Sequence, residues 1–432
     1  MNKIIENIKE KIKSSGNDAF FGGRSFIKWV ILSVITGIVV GLFGSLFGHV
    51  LTFVNNLRAD YPIITFGLPL GGLLIVFLIW LCKHENDKGT NGILSAVHSD
   101  VDIPFKVAPL IFINTTITHL FGGSSGREGA AVQLGGSIAE SLSGLFRLQK
   151  EDRRVLIMCG MSAGFAALFG TPMAAAAFSL ELFIVGTMPY GALMPCVFSA
   201  VTAKLIAGFL KVAPEVFPVK TEPGLDLVMM LKAAVLAVLT GLVAVLFCKV
   251  VHGAGKLSKR LIKNPYLRIF AGGCLILLLS AIIGTGEYLG SGMGIIEHIF
   301  HTGETDWYTF LLKILFTAIT LGVGYKGGEI VPSFTVGAAF GCAMSVLLGM
   351  PADLAAACGM VGAFCGVTNC PIASILIGIE LFGGADTPYY LITAAVSMTV
   401  SGRTSLYSTQ LYSDNTEVAF PYPLPDAKLN EK

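Results

Sequence analysis

Two acidic side chains stand where charge is expensive. Glu128 lies in Gly126-Arg127-Glu128-Gly129, and Glu329 lies in Gly327-Gly328-Glu329-Ile330-Val331-Pro332. The residues flanking the first, 107–120 and 131–138, are mostly apolar. An ionisable group in such surroundings marks an ion or proton pathway by default, because a lipid-like medium penalises it. A third glycine-punctuated stretch, Gly89-Thr90-Asn91-Gly92-Ile93, has the same form.

Each of these loops runs into an apolar segment expected to be helical. The first N–H groups of a helix lack carbonyl partners and sit at the positive end of its dipole. Glycine permits close approach of backbone or ligand, and Pro332 suits a first helical turn. If the three helix starts converge, they form an anion site built from partial charges, which holds an ion without trapping it. Glu128 then acquires a chemistry. Ionised, it competes with the anion for the site; protonated, it leaves, so that one residue couples anion movement to a proton. The structural alternative is a carboxylate that caps its own helix or pairs with Arg127. A phosphate-binding loop does not fit, because the Walker pattern needs Gly-Lys-Ser/Thr and Glu128 stands where phosphate would sit.

The elements that must position these residues belong in a membrane. The 432 residues are 53% hydrophobic and 13% charged, about half the charge of a soluble protein, and include 51 glycines. Apolar segments over residues 26–54, 61–82 and 227–251 are long enough to span a bilayer, and a further apolar segment covers 193–210. Others, such as 107–120, 131–145 and 155–169, are shorter than the roughly 20 residues a span requires. Residues 1–25 read as an amphipathic surface helix with Ile4, Ile5, Ile8 and Ile12 on one face. The lysines and arginine before the first span place this end in the cytoplasm, together with the basic residues Lys256, Lys259, Arg260 and Lys263. The expected location is the cell (inner) membrane, with lipid as the surrounding partner.

The chain repeats itself. Cys159-Gly160-Met161, Pro172 and Glu181-Leu182-Phe183 recur as Cys358-Gly359-Met360, Pro371 and Glu380-Leu381-Phe382, every pair 199 residues apart. Gly126-Arg127-Glu128 pairs with Gly327-Gly328-Glu329 at a spacing of 201. Repeats made of short, Gly- or Pro-interrupted apolar segments are the signature of secondary transporters, whose sites lie near the midplane where broken helices end. The expected layout is a first repeat over 26–211, a linker over 212–225 rich in proline and acting as a hinge, a second repeat over 226–413, and a polar tail over 414–432. The two repeats are expected to be antiparallel, which spacing alone does not establish. Glu181 and Glu380 are expected to be structural.

These motifs resemble those of the CLC family of chloride channels and proton-coupled anion antiporters. Gly126-Arg127-Glu128-Gly129 is similar to its gating-glutamate motif, with Ala130 where the family usually has Pro. Gly327 to Pro332 is similar to its second anion motif, and Thr90-Asn91-Gly92-Ile93-Leu94 to its first, normally Gly-Ser-Gly-Ile-Pro. Arg403-Thr404-Ser405-Leu406-Tyr407-Ser408 is similar to the segment carrying the pore tyrosine. The resemblance implies an all-α polytopic membrane protein with a CLC-type inverted repeat of tilted, broken helices, assembled as a homodimer. It implies Glu128 as gating glutamate, and Asn91, Gly126, Arg127, Gly129, Ile330, Val331 and Tyr407 as anion-binding residues. Three departures narrow it. Asn91 replaces Ser, Glu329 is an acid the chloride branch lacks and is followed by Ile330 rather than Phe, and Leu182 occupies the position of the internal proton-accepting glutamate. Together they are similar to the fluoride-exporting branch. Fluoride is a strong hydrogen-bond acceptor, which suits the N–H donors of Asn91 and a protonated Glu128. The implied activity is proton-coupled fluoride export, with chloride/proton antiport or a chloride channel as the alternative. Glu329 is either a second proton or anion-site carboxylate or a structural one held by backbone amides.

Other classes fit poorly. An intramembrane enzyme would need a general-base arrangement, but His84-Glu85 has no second histidine, no Gly-x-Gly-Asp occurs, and no Ser/His pair has a membrane context. An inactive scaffold would not need both glutamates and Tyr407. A net charge of +2 gives no basic stripe for nucleic acid. The nine cysteines form no CxxC pair and read as small buried apolar residues. No metal site or cofactor is expected.

Overall fold

The computed structural model describes residues 2–85, 88–98, 102–221 and 224–413, the side chains of 2–24 excepted. The first half runs α1 (Asn2–Asp60), α2 (Leu68–Leu81), α3 (Thr90–His98), α4 (Val107–Leu120), α5 (Glu128–Leu145), α6 (Lys150–Phe169), α7 (Pro172–Glu181) and α8 (Leu193–Phe209). The second half repeats this order as α9 (Leu227–Leu261), α10 (Pro265–Ile283), α11 (Met293–Thr302), α12 (Thr309–Val323), α13 (Ile330–Leu348), α14 (Ala352–Thr368), α15 (Pro371–Phe382) and α16 (Thr387–Ser401). Among the described residues six helices are long and apolar enough to cross a membrane, while α4, α12, α14 and α15 are apolar but shorter.

Local chemistry sets the helix ends in matching places. α7 and α15 both begin on proline, at Pro172 and Pro371. α6 ends at Gly170 with φ +79°, and α14 ends at Asn369, the equivalent position, with φ +57°. Glycine takes this left-handed cap without strain, and asparagine is among the few other residues that tolerate it.

Packing repeats as well. α5 lies against α6 as α13 lies against α14, and α1 against α8 as α9 against α16. Both of the first contacts run through glycine. A Cβ on Gly160 would collide with the Gly135 carbonyl and the Ala139 methyl, and a Cβ on Gly359 with the Gly337 carbonyl. Small residues let membrane helices approach to backbone contact, where dispersion and weak hydrogen bonds replace the hydrophobic drive. Aromatic rings fill the space between the halves: Phe334 packs on Phe169 and Phe364 at centroid distances of 5.6 and 5.1 Å.

Reciprocal capping establishes the inversion. The carboxylate of Glu181, at the end of α7, accepts the N–H groups of Ile372 and Ala373 at 3.0 and 2.8 Å, at the start of α15. Glu380, near the end of α15, accepts those of Met173 and Ala174 at 3.1 and 2.9 Å, at the start of α7. Each helix therefore caps the other's N-terminus, so the pair is antiparallel and related by a two-fold operation. The structural reading of both glutamates acquires its partners here.

α7 stops at Glu181, and Ile184–Val185 pairs in parallel with Leu411–Tyr412. Two expectations change. The described part of the N-terminal segment, from Asn2, does not form a separate helix, because α1 runs unbroken from Asn2 to Asp60; the face bearing Ile4, Ile5, Ile8 and Ile12 lies outside the described side chains. The linker is not a free hinge. Phe217 N–H bonds the Leu381 carbonyl at 2.8 Å, and Lys220 and Thr221 N–H bond the Asp353 carboxylate at 2.9 and 3.0 Å. It is a strap fixed across α14 and α15. The tail over 414–432 lies outside the described residues.

Candidate functional site

The two glutamate loops meet. Gly126 and Gly328 exchange both backbone hydrogen bonds, each at 2.7 Å, in an antiparallel bridge. The approach is close enough that a Cβ on Gly129 would lie 2.9 Å from Gly328 Cα. The glycines at these positions are required by the contact between the loops. The first helical hydrogen bond of α5 is Ala131 N–H to the Arg127 carbonyl, and that of α13 is Ser333 N–H to the Glu329 carbonyl. The N–H groups of Gly129, Ala130, Ile330 and Val331 precede those bonds and are helix-end donors. Ile330 and Val331 are fully buried, so these donors sit away from bulk water.

Glu128 occupies one side of this pinch. It is 1% exposed and folds back onto the start of its own helix. Its carboxylate accepts the Arg127 N–H at 3.1 Å and lies 3.4 Å from Arg127 Nε. The structural alternative, pairing with Arg127, is thus the conformation seen. Arg127 in turn is ion-paired to Glu215, which hangs from the linker strap. Sequence reasoning missed Glu215. Arg127 is engaged by two carboxylates and does not line the cavity described next.

On the other side lies a cavity of about 880 Å³. Asn91, Gln133, Glu329 and Tyr407 are in its wall, and Lys88, Lys259, Lys263, Arg268 and Lys326 give it a positive lining, with Glu85 among them. The basic turn of α9 that supplies Lys259 continues the helix well past residue 251. Glu329 lines this cavity and Glu128 does not, although their loops touch.

Tyr407 is 3% exposed, and its hydroxyl has no hydrogen-bond partner among the described residues. A buried hydroxyl without a partner costs free energy, which points to a ligand that completes it. Asn91 is held by its oxygen: Thr409 N–H donates to Oδ1 at 3.2 Å and Thr409 Oγ1 lies 3.0 Å from it. The α3 start that carries Asn91 is tied to α5 by Gln133 Nε2 donating to Thr90 Oγ1 at 2.8 Å. Residues from all three glycine-punctuated starts, Thr90 and Asn91, Ala130, and Glu329, line this one cavity. Behind the Glu128 loop, fully buried Lys313 donates to Ser124 Oγ at 3.0 Å and to the Gly290 and Tyr288 carbonyls at 2.8 and 3.2 Å. Sequence reasoning also missed this cation; it ties the loop to the segment before α11 and stays outside the cavity lining. Leu182 is fully buried beside the Glu181 cap and offers no proton acceptor. Among the described residues no three His, Cys, Asp or Glu side chains cluster to hold a metal ion.

Comparison with known proteins places the chain in a family. The family profile described as Voltage gated chloride channel matches residues 71–402. A chloride/fluoride channel protein of Pseudomonas syringae pv. tomato is 36% identical over 390 residues, covering 89% of this chain and 86% of that protein. An H(+)/Cl(-) exchange transporter ClcA of Vibrio cholerae is 28% identical, covering 64% of this chain and 62% of that protein. The crystal structure of a CLC-type fluoride/proton antiporter superposes with a TM-score of 0.87 at 32% identity, covering 90% of this chain and 98% of that one. A slow cyanobacterial Cl-/H+ antiporter shares the fold, with a TM-score of 0.74 at 22% identity. Members of this family are channels and transporters, and the chain, a membrane protein with an inverted repeat, belongs to the CLC, or voltage-gated chloride channel, family.

Proposed function

We propose that the protein is a fluoride/proton antiporter of the cell (inner) membrane, in which proton influx drives fluoride out of the cytoplasm. The observation that carries this reading is the pinch at Gly126 and Gly328, with a buried carboxylate on one side and a basic cavity holding Glu329, Asn91 and Tyr407 on the other. The cavity is the cytoplasmic vestibule, since Lys259 and Lys263 belong to the segment that the positive-inside rule puts there. Fluoride enters it, meets the unpartnered Tyr407 hydroxyl and the amide of Asn91, and advances onto the helix-end N–H groups of α5 and α13.

Glu128 is the moving plug. Ionised and folded onto Arg127, it holds the outer side; protonated, it leaves its cap and lets the anion pass, carrying its proton inward. Glu329 serves as the inner proton carboxylate in place of the acid replaced by Leu182. The similarity to a chloride/fluoride channel protein and to a fluoride/proton antiporter supports fluoride as the ion. A homodimer with one pathway per subunit, embedded in lipid, is the assembly expected of it. Transport, with no enzymatic chemistry, is its whole activity, and no cofactor takes part.

The similarity to an H(+)/Cl(-) exchange transporter favours one rival, chloride/proton antiport on the same fold. Efflux of fluoride and of chloride from proteoliposomes decides between them. The fluoride reading predicts fluoride efflux at least about tenfold faster than chloride, the discrimination that one extra charged hydrogen bond supplies. Equal rates would support the rival.

A further inference from the structure

We propose that Thr409 is a positioning residue for the transported anion, acting through Asn91. The amide of a side chain is ambiguous at its end, since oxygen and nitrogen are similar in shape. Here the chemistry removes the ambiguity. The backbone N–H of Thr409 can only donate, and it points at the Asn91 amide from 3.2 Å, so the atom that meets it is the oxygen. The Thr409 hydroxyl lies 3.0 Å from the same oxygen, nearer than the Asn91 main-chain carbonyl at 3.3 Å, and donates to it as well. Thr409 is half-buried and lies outside the cavity lining, whereas Asn91 is in the lining. With Oδ1 committed to Thr409, the NH2 group is the end left for the cavity, and it has no protein partner among the described residues.

The sign of this arrangement matters to an anion. An NH2 group facing the cavity donates to it; a flipped amide would present a carbonyl oxygen and repel it. Thr409 therefore fixes the polarity of the one neutral amide the resemblance assigns to the central site. The two residues are 318 apart in sequence, and the second repeat has Gly294 where the first has Gly92, with Met293 at the Asn91 position. The device therefore exists in one half of the protein. Fluoride, the stronger acceptor, gains most from a fixed donor. That last point rests on the fluoride reading; the orientation of the amide does not.

The test is the KM for anion efflux from proteoliposomes, measured for fluoride and chloride in the wild type, T409V and T409S, and in N91A and N91A/T409V. Valine keeps the shape and the backbone N–H but removes the hydroxyl, the nearer of the two donors to Oδ1, so the amide keeps one of its two anchors and flips more readily. We expect T409V to raise the KM for the transported anion about three- to tenfold, the worth of one hydrogen bond, with little change in kcat. T409S should restore the wild-type KM, and T409V should add nothing in the N91A background. A T409V KM equal to wild type, equal loss in T409V and T409S, or a further rise in N91A/T409V would each overturn the proposal. If the wild type moves chloride as readily as fluoride, the fluoride reading fails. The KM pattern for chloride then decides the role of Thr409 by the same criteria.

Discussion

Replacing Glu181 with alanine should cost stability and leave proton coupling intact, because the reciprocal caps define what that carboxylate does. Glu181 is buried and accepts two N–H bonds at 3.0 and 2.8 Å. Hydrogen bonds to a charged group contribute roughly 1.5–3 kcal/mol each, and the N–H groups left behind keep part of the dipole's positive charge without a partner. The loss should be about 3–5 kcal/mol for E181A. Glu380 makes the same pair of bonds at 3.1 and 2.9 Å but is only half-buried, so water can replace it. E380A should cost about 1–2 kcal/mol on that account. The two caps sit at opposite ends of a helix pair about 15 Å long, far enough apart that the double variant should lose close to the sum. Thermal unfolding of the purified protein in detergent orders the four species, and proton uptake by proteoliposomes, well below the melting temperature, reads coupling. The reasoning fails if E181A unfolds like the wild type while proton uptake is lost, since Glu181 would then be a proton carrier and not a cap.

Two further outcomes follow from the packing and the site. Y407F removes a buried hydroxyl that has no protein partner, so it should leave thermal stability unchanged or slightly raised while slowing fluoride efflux by about tenfold; a drop in stability would show that the hydroxyl is satisfied within the protein. G160L forces a side chain into the Gly135 carbonyl and the Ala139 methyl, so the variant should fail to give a monodisperse peak on size-exclusion chromatography, and normal behaviour there would contradict the backbone contact between α5 and α6.

Much of this was legible in the sequence, and the reason lies in how the repeat is written. Caps and loops are local: the prolines at 172 and 371, the glutamates at 181 and 380, and the glycines at 126 and 327 recur at nearly constant spacing because each repeat needs the same chemistry at the same place. The opposite orientation of the halves was not legible, since parallel and antiparallel repeats share one spacing. It becomes visible when Glu181 is seen against α15 and Glu380 against α7. The partners Glu215, Lys313 and Thr409 were hidden for a related reason. They stand 88, 189 and 318 residues from Arg127, Ser124 and Asn91, and none lies in a motif. The resemblance places Arg127 among the anion-binding residues; in the structure its guanidinium pairs with Glu128 and Glu215.

The central claim is that Glu128 joins fluoride movement to a proton. Proteoliposomes loaded with fluoride, with fluoride efflux and proton uptake recorded together for the wild type and E128Q, test it most directly. The account predicts proton uptake that accompanies fluoride efflux in the wild type and is lost in E128Q. Proton uptake by E128Q in the wild-type ratio to fluoride would contradict it.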